Sequence, residues 1–432
     1  MSQKHIASGE DFIPNIIIIN NRRAFHTQSS VVGDHRTASQ SSHIMADWSQ
    51  LPEDLLKLVI EKLHSVEDYI RIGAVCCSWN SVTSRRDYSL SSLQAKQVPW
   101  LMLAEKKNSS IRLFYNPSNN NIYKVDLPES CDRRCWGTAY GFMVTFGTDF
   151  EINLLHPFSR VLIPLPPQRS FAIQYKHRHY HTKMRPRFFI EKIILSESPM
   201  SPACHVVVIY SEYKQLAFTR ITDQVWHSFE FSIGPFEDIA YCNGKCFAIK
   251  HRGSLLVCEF SPHRAKAIEF AAAPPWIYGK KHLVDVGGKL YLVSRIYELA
   301  GPVNSGYHRT LGFDFCKLDM QSRKWEEVLN LGDWTIFLGH NYSFACRASE
   351  HPGCKPNCIY FTDDYVCLHP GNRGRDMGIY NCGTGMIDPY PVDYELFPDF
   401  CPLLWIIPHL WFQRKVHMGK AFFIHQFDVA VA

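Results

Sequence analysis

The sequence has 432 residues, of which 46% are hydrophobic and 20% are charged, and its net charge is +5. This length accommodates a small module plus one large domain with a substantial core, and so weak a charge gives no strong indication of nucleic-acid or membrane binding. The 15 cysteines lie among apolar neighbours without a secretory signal, which favours reduced thiols over a disulfide framework and predicts a nuclear or cytoplasmic protein.

Residues 1–46 form an N-terminal extension that we predict to be disordered, because they show little helical or strand periodicity. The apolar run at 16–19 is far shorter than the roughly 20 residues that span a bilayer, so no membrane span is predicted. An organelle transit peptide is the alternative for this segment. Glu10 and Asp11 and the weak amphipathicity argue against it.

Residues 51–82 carry the pattern of three short helices. Pro52 suits the first turn of the first helix, whose apolar stripe comprises Leu55, Leu56, Val59, Ile60 and Leu63. A cap at Ser65 starts a second helix that runs to about Cys76. Trp79 and Val82 anchor the third. Three helices of this size rarely sustain a core alone, so the module is predicted to dock onto a partner.

The same segment resembles an F-box. The resemblance rests on Leu51 and Pro52, on the apolar pairs of the first helix, and on Ala74-Val75-Cys76 followed by Trp79. It implies binding to the Skp-type adaptor, and through it to the cullin, of a ubiquitin ligase. We place the F-box at residues 47–84, and the adaptor-binding residues are predicted to be Leu51, Pro52, Leu55, Leu56, Val59, Ile60, Leu63, Val75, Cys76 and Trp79. The alternative is an amphipathic helical hairpin packed on its own domain.

After a polar linker at residues 85–98, the period changes from helical to alternating, and short apolar runs separated by turn residues predict an all-β domain. The segments predicted as strands are 111–115, 122–127, 141–146, 152–155, 161–165, 190–195, 206–210 and 216–221. A weak repeat relates Asn243-Gly244 and the strand after it to Gly287-Gly288 and its strand, about 44 residues later, with a degenerate third copy at 355–361. This spacing is typical of propeller blades, so residues 99–408 are predicted to form a β-propeller, with a pair of sandwiches as the alternative.

Several stretches of this domain resemble a large plant family of F-box proteins, the F-box DUF295 family, whose C-terminal domain was long catalogued as of unknown function. They include residues 191–196, 337–339, 352–364 and 375–380. The resemblance implies a propeller-like domain that selects the target. The chain departs from the family pattern at His156, at residues 175–187 and after Pro408, so the structure of the tail, 409–432, is left open.

Three groups of residues suggest other chemistry. Asp363 and Asp364 could be paired acids, but neighbours on a strand point to opposite faces, so we expect them to form a turn and hydrogen-bond the backbone. His351, Cys354 and Cys358 suit zinc in residue type but lack the spacing of a structural finger. Cations alternate with aromatic residues at 175–187, a composition that can contact phosphates and stack on bases.

No phosphate-binding loop, nucleophile elbow or metalloprotease motif occurs in the sequence, so no catalytic residue, metal or cofactor is predicted. We therefore interpret the chain as the non-catalytic substrate-recognition subunit of a Skp-cullin-F-box ubiquitin ligase, with a target protein bound by the propeller. The alternative is a stand-alone propeller that binds protein, or nucleic acid through residues 175–187, and a metal- or radical-based propeller oxidase comes third.

Overall fold

The computed structural model describes residues 48–63, 66–83, 97–103, 109–173, 189–230, 234–261, 264–299, 308–339, 342–364, 376–390, 403–408 and 428–430. The prediction of a disordered extension and the basic segment at 175–187 lie outside these residues. None of the described helices is long and apolar enough to cross a membrane.

The helical module consists of α1 (Glu53–Glu61), α2 (Val66–Val75) and α3 (Cys77–Thr83), as the sequence predicted. Pro52 caps α1, and Glu53 and Asp54 lie in its first turn, where carboxylates favour the positive end of the helix dipole. Gly73 lets α2 and α3 approach closely, because a Cβ at this position would lie 2.8 Å from Thr83 Oγ1. The glycine thus serves packing, despite its low helix propensity.

The remainder of the described chain is almost entirely β-structure. In chain order the strands are β1 (Trp100–Met102), β2 (Ile111–Asn116), β3 (Asn121–Asp126), β4 (Arg134–Gly137), β5 (Met143–Phe146), β6 (Ile152–Leu155), β7 (Leu162–Leu165), β8 (Ile190–Leu195), β9 (His205–Tyr210), β10 (Gln215–Arg220), β11 (His227–Glu230), β12 (Phe236–Cys242), β13 (Lys245–Lys250), β14 (Leu255–Ser261), β15 (Arg264–Ala271), β16 (Lys280–Val286), β17 (Lys289–Leu299), β18 (His308–Asp319), β19 (Lys324–Glu327), β20 (Trp334–Leu338), β21 (Phe344–Arg347), β22 (Cys358–Phe361), β23 (Gly378–Asn381), β24 (Ile387–Asp388), β25 (Leu404–Ile406) and β26 (Asp428–Ala430).

Within the described residues these strands form five sheets that follow one another along the chain. Sheet I has the order β25-β1-β2-β3-β26, sheet II comprises β4 to β7, and sheet IV comprises β16 to β19. Sheet III contains β8 to β15 as two four-stranded groups, joined by parallel pairing of β11 with β15. Sheet V has the order β21-β20-β22-β23-β24. This succession of small, mostly antiparallel sheets is the arrangement of propeller blades.

Tight turns built from asparagine and glycine set the register of the inner hairpins. Asn243 and Gly244 have φ values of 49° and 72°, and Gly287 and Gly288 have φ values of 60° and 81°. Two successive positive φ values are the geometry of type I′ turns, whose twist matches that of the flanking strands. The two turns also touch, since Asn243 Nδ2 donates a hydrogen bond of 2.6 Å to the Gly288 carbonyl. The predicted repeat therefore corresponds to two neighbouring hairpins.

Neighbouring sheets pack face to face through shared apolar clusters. Val284 and Phe313 of sheet IV pack with Ile336 and Phe361 of sheet V, and all four side chains are almost fully buried. Between sheets I and V, Trp405 of β25 meets Phe337 edge-on at a centroid distance of 5.1 Å. Such contacts exclude water between blades, which is the main stabilising contribution in a fold without long helices.

One predicted strand differs from the structure in its start, and the structure adds one strand in the tail. The strand predicted at 141–146 begins only at Met143, because Tyr140 and Gly141 take φ values of 64° and 73° and form a turn before it. In the tail, Asp428–Ala430 adds a short edge strand to sheet I by pairing with β3. Near the end of the β domain, β25 pairs with β1 through Leu101 and Trp405.

Candidate functional site

The first helix divides its apolar residues between two faces. Leu56 and Ile60 are almost fully buried and pack with Tyr69, Ile72 and Val82 of α2 and α3. Three other residues of α1 are left facing outward, with exposed fractions of 50% for Leu55, 56% for Leu58 and 41% for Val59. So large an apolar exposure on so small a module is typical of an interaction surface.

The ten predicted adaptor-binding residues therefore fall into three groups. Leu56 and Ile60 belong to the module core. Leu51, Leu63 and Trp79 are partly buried against that core, and Cys76 is half-buried. The group that faces outward comprises Pro52, Leu55, Val59 and Val75. Sequence reasoning missed Leu58, although it lies one helical turn after Leu55 and so on the same side of α1. The assignment of the whole set to adaptor binding stays a prediction.

Two hydrogen bonds connect α2 to α3 within the same module. The Tyr69 hydroxyl donates to the Thr83 carbonyl at 2.6 Å, and Asn80 Nδ2 donates to the Gly73 carbonyl at 2.8 Å. Both bonds join residues of different helices. The exposed apolar side chains are thus carried by a braced three-helix unit rather than by a lone helix.

A second group of polar residues, which we call the charged cluster, lies within the β domain. Its first part joins β8, β12 and β16, because the Lys192 ammonium forms an ion pair with Asp238 and donates to Ser343 Oγ at 3.1 Å. The other oxygen of Asp238 accepts a hydrogen bond of 2.7 Å from the backbone N–H of Leu283. Burial lowers the pKa of Lys192, and the facing charge of Asp238 opposes that shift. The ion pair of Lys192 and Asp238 thus connects β8 and β12 of sheet III with β16 of sheet IV.

The second part of the charged cluster centres on Asp364, directly after sheet V's strand β22. Its carboxylate lies 2.7 Å from Arg295 Nη1, 3.0 Å from His282 Nε2 and 3.3 Å from Lys280 Nζ. Burial by itself would raise the pKa of Asp364, but the charges of Lys280 and Arg295 outweigh burial and hold that pKa well below its ordinary value. The carboxylate is therefore ionised near neutral pH, so it has no proton to donate as a general acid.

Arg295 has a hydrogen-bond partner for each of its five N–H groups. Nε donates to Thr310 Oγ1 at 2.7 Å, and Nη1 donates to the Thr362 carbonyl at 2.9 Å and to Asp364 at 2.7 Å. Nη2 donates at 2.9 Å to both the carbonyl and the carboxylate of Asp376. Because Arg295 and Thr310 belong to sheet IV and the acceptors around β22 and β23 belong to sheet V, this side chain ties two blades together.

Asp363 takes part in the charged cluster as well, since its carboxylate lies 3.2 Å from His308 Nε2. Asp363 and Asp364 were expected to form a turn and hydrogen-bond the backbone. The structure differs, because both carboxylates are buried and lie against basic side chains. As expected, however, the two side chains do not converge on one point. Asp364 faces Arg295 and Asp363 faces His308.

We expect His308 to make the stability of the domain depend on pH. Burial would lower the pKa of His308, but its hydrogen bond to Asp363 and the charges of Asp363 and Asp376 outweigh burial and raise that pKa above 6.5. A raised folded-state pKa contributes stability that is complete below the unfolded-state value and is lost as the pH rises through the folded-state value. The free energy of unfolding lost in His308→Gln, measured by urea titration, should therefore be larger at about pH 6 than at about pH 8.

His205 offers a control of opposite sign. Burial and the charge of Arg220 lower the pKa of His205, whose ring lies 4.9 Å from that of Phe260. Wild type should lose stability relative to His205→Gln as the pH falls through the unfolded-state value. If both variants showed the same trend with pH, the assignment of charges around His308 would be wrong.

The zinc hypothesis finds no support in the positions of its ligands. His351 Nδ1 lies 2.8 Å from the Arg347 carbonyl, and Cys358 is buried in the apolar cluster of sheets I and V. Among the described residues, no set of three His, Cys, Asp or Glu side chains is arranged to hold a metal ion.

Comparison with known proteins decides the family. The sequence profile of the KIB1-4 beta-propeller matches residues 114–381, and that of the F-box domain matches residues 48–90. The chain belongs to the KIB1-4 β-propeller family. The predicted fold class, a small helical F-box module followed by an all-β propeller, is thereby confirmed. The domain limits that we placed at 47–84 and 99–408 stay predictions.

Relatives of this KIB1-4 propeller protein are F-box proteins of Arabidopsis thaliana, which confirms the plant F-box resemblance. Putative F-box protein At5g55150 is 25% identical over 374 residues, covering 84% of this chain and 97% of the relative. F-box protein SKIP23 is 22% identical over 403 residues, covering 84% and 95%. Among solved structures, TolB from Acinetobacter baumannii has a TM-score of 0.37 and 9% identity, covering 72% of this chain and 66% of that one.

The charged cluster lies entirely within the part matched to the KIB1-4 propeller, from Lys192 to Asp376. Its carboxylates and cations neutralise one another across sheets III, IV and V. The arrangement therefore acts as an internal brace that fixes the blades relative to one another, and the exposed surface of the F-box remains the better candidate for contact with a partner.

Proposed function

We propose that this protein is the substrate-recognition subunit of a Skp-cullin-F-box ubiquitin ligase. The F-box binds the Skp-type adaptor, and the KIB1-4 propeller binds the target protein. The observation that carries this proposal is the outward-facing apolar surface of α1, formed by Leu55, Leu58 and Val59, which take no part in the apolar cluster of the module. Binding of an adaptor would remove these apolar side chains from water, and this burial would contribute favourable free energy to the complex.

In this proposal the protein contributes no catalytic group. The transfer of ubiquitin belongs to partner enzymes, and the receptor raises the effective concentration of a target lysine near the charged carrier. That role requires a stable distance between the F-box and the target, and a propeller braced by buried ion pairs suits it. We place the complex in the nucleus or cytoplasm, where reduced cysteines persist.

The first experiment replaces Leu55 by alanine and measures binding of the adaptor to the full chain. An anchor residue at the centre of an interface contributes about 2 kcal/mol, so we expect the affinity for the adaptor to fall roughly thirtyfold. Leu162→Ala is the matched control, because Leu162 lies on β7 of the propeller with a similar exposed fraction of 46%. Isothermal titration with purified adaptor measures both.

Equal affinities for the two leucine variants would contradict the proposal, provided that circular dichroism shows the Leu55→Ala module to be folded. The target is identified separately, by affinity purification of the full chain with and without proteasome inhibition. A protein that is captured by wild type, and that accumulates in cells carrying Leu55→Ala, has the behaviour expected of a target.

A further inference from the structure

Sheet I carries one strand more than a four-stranded blade, and that strand comes from the C-terminal end of the chain. Sheets II and IV have four strands each, and sheet III consists of two groups of four. In sheet I, the strands β25, β1, β2 and β3 already make four, and β26 adds a fifth along the outer edge of β3. The strand Asp428–Ala430 therefore occupies an edge that a four-stranded blade leaves open.

The edge of β3 is longer than the strand that covers it. All six residues of β3 pair with β2 on its inner side. On its outer side, the three residues of β26 pair antiparallel with Ile122, Tyr123 and Lys124. An edge strand presents a row of backbone N–H and C=O groups that can pair with another strand. In this register the edge continues past β26 at Val125 and Asp126.

The inner side of β3 is anchored by its own contacts. Tyr123 is 1% exposed, and its ring stacks on that of Trp100 of β1 at a centroid distance of 4.8 Å. The Tyr123 hydroxyl accepts a hydrogen bond of 2.9 Å from Asn119 Nδ2, in the turn that joins β2 to β3. By contrast, residues 407–427 separate β26 from β25 along the chain. We therefore expect β3 to stay in place when β26 leaves.

The residues that face one another in the register indicate which strand this edge accepts. Lys124 is exposed in the middle of β3, and the residue opposite it is Asp428. A lysine in an edge strand discourages indiscriminate pairing, whereas an acidic residue directly opposite a lysine favours it. Residues 427–431 read Phe-Asp-Val-Ala-Val, and this alternation is typical of a strand with one apolar face.

We propose that the outer edge of β3 is a strand-addition site for an extended protein segment, and that residues 428–430 occupy it as an internal competitor. The segment that fits pairs with all six residues of β3, alternates apolar with polar side chains and places an acid opposite Lys124. Main-chain hydrogen bonds give affinity in this mode of recognition, and the alternate side chains give specificity. The inference rests on the proposed function in one respect, since the segment would belong to the target protein.

Occupation of the edge by the same chain sets a threshold for binding. A tethered segment has an effective concentration on the order of millimolar, so a short peptide in solution displaces β26 poorly. A longer strand gains backbone pairs at Val125 and Asp126 and so competes better than a strand of three residues. The edge would therefore select long, well-matched segments over short ones.

The test uses the full chain and a fluorescein-labelled peptide, HQFDVAVA, which has the sequence of residues 425–432. Val429→Pro opens the edge, because a proline at the centre of β26 lacks an N–H and interrupts the pairing. Val429→Thr is the matched control, since threonine is also β-branched and keeps its N–H. By fluorescence anisotropy, the peptide should bind the Val429→Pro chain roughly tenfold more tightly than wild type or Val429→Thr.

An exchange of charges tests the location of the site and its register. Lys124→Glu, added to the Val429→Pro chain, should weaken binding of HQFDVAVA by about fivefold, because like charges then lie opposite one another. The peptide HQFKVAVA should bind the Lys124→Glu chain more tightly than it binds the chain with Lys124. Lys324→Glu is the control, because Lys324 is exposed on β19, the edge strand of sheet IV, and its replacement should not change binding.

Hydrogen exchange on wild type makes the test independent of any variant. Millimolar HQFDVAVA should slow exchange of the amides of residues 121–126, because the edge is then open for a smaller fraction of the time. The amides of β19 should be unaffected. Exchange at residues 121–126 that does not respond to the peptide would overturn the proposal.

Two further results would also overturn it. One is equal affinity of HQFDVAVA for wild type and for Val429→Pro, with circular dichroism showing both chains to be folded. The other is failure of HQFKVAVA to bind the Lys124→Glu chain preferentially. Adaptor binding separates this inference from the proposed function, because Val429→Pro should bind the adaptor as tightly as wild type. Normal adaptor binding without peptide binding would reject the strand-addition site and leave the receptor proposal intact.

Discussion

Replacing Arg295 by methionine is expected to lower the free energy of unfolding of the propeller by about 3–5 kcal/mol, the usual effect of removing one partner of a buried ion pair. Arg295 is 1% exposed, and its guanidinium lies between the carboxylates of Asp364 and Asp376 and 4.8 Å from the Phe361 ring centroid. Methionine fills much of the volume but leaves two buried carboxylates without this cation. Urea unfolding followed by tryptophan fluorescence measures the loss.

An exposed ion pair provides the control for this variant. Arg169 lies 3.6 Å from Glu151, and the two side chains are 81% and 47% exposed. Solvent screens such a pair, so Arg169→Met should change stability by less than about 1 kcal/mol. The loss in the free energy of unfolding for Arg295→Lys should lie between the losses for these two variants. An ammonium keeps the charge but cannot reach all of the acceptors that the planar guanidinium bonds. If Arg295→Met were no more destabilising than Arg169→Met, the charged cluster would not be the brace described above.

Replacing Leu56 by alanine is expected to unfold the F-box while leaving the propeller folded. The Leu56 side chain is fully buried among Ile60, Tyr69, Ile72 and Val82. Truncating a buried leucine costs about 2–5 kcal/mol, and a module of three short helices has little stability to lose. Native-state hydrogen exchange on the full chain should show loss of protection for the amides of α1, α2 and α3, with the propeller strands unchanged.

Leu58→Ala is the matched control, since the residue type and the helix are the same and only the exposure differs. Leu58 is 56% exposed, so its truncation should leave the protection of all three helices intact. Adaptor binding should then be lost in Leu56→Ala through unfolding, whereas Leu55→Ala should weaken binding without unfolding. Retained protection in Leu56→Ala would mean that the propeller or another contact stabilises the module.

Local sequence patterns were sufficient to predict much of the fold, because short-range chemistry decides hairpins and short helices. The strands at Ile152–Leu155 and Ile190–Leu195 coincide with the predicted segments. Asn243-Gly244 and Gly287-Gly288 indicated tight turns, because asparagine and glycine adopt the positive φ values that such turns require.

Contacts between distant parts of the chain could not be predicted in the same way. Asp364 and Arg295 are 69 positions apart, and no local pattern connects a carboxylate after one strand with a cation on a strand of the preceding sheet. The apolar stripe of α1 also contains residues of two kinds, those that pack in the core of the module and those that face outward, and sequence alone does not separate them. Leu55 and Leu56 are neighbours of identical chemistry, and only the packing of α2 and α3 shows that Leu56 is inside and Leu55 outside.

The closing pair of β1 with β25 has a consequence for biosynthesis. Met102 and Leu404 are partners in this pair although about 300 residues separate them, so the pair cannot form until nearly the whole chain has left the ribosome. Until then β1 has one free edge, and unpaired edges recruit strands from other molecules. The apolar core of the F-box, by contrast, is formed by residues between Leu51 and Val82, which emerge first. Nascent chains would therefore present the F-box helices before the propeller is complete, and molecular chaperones that cover strand edges would act during that interval.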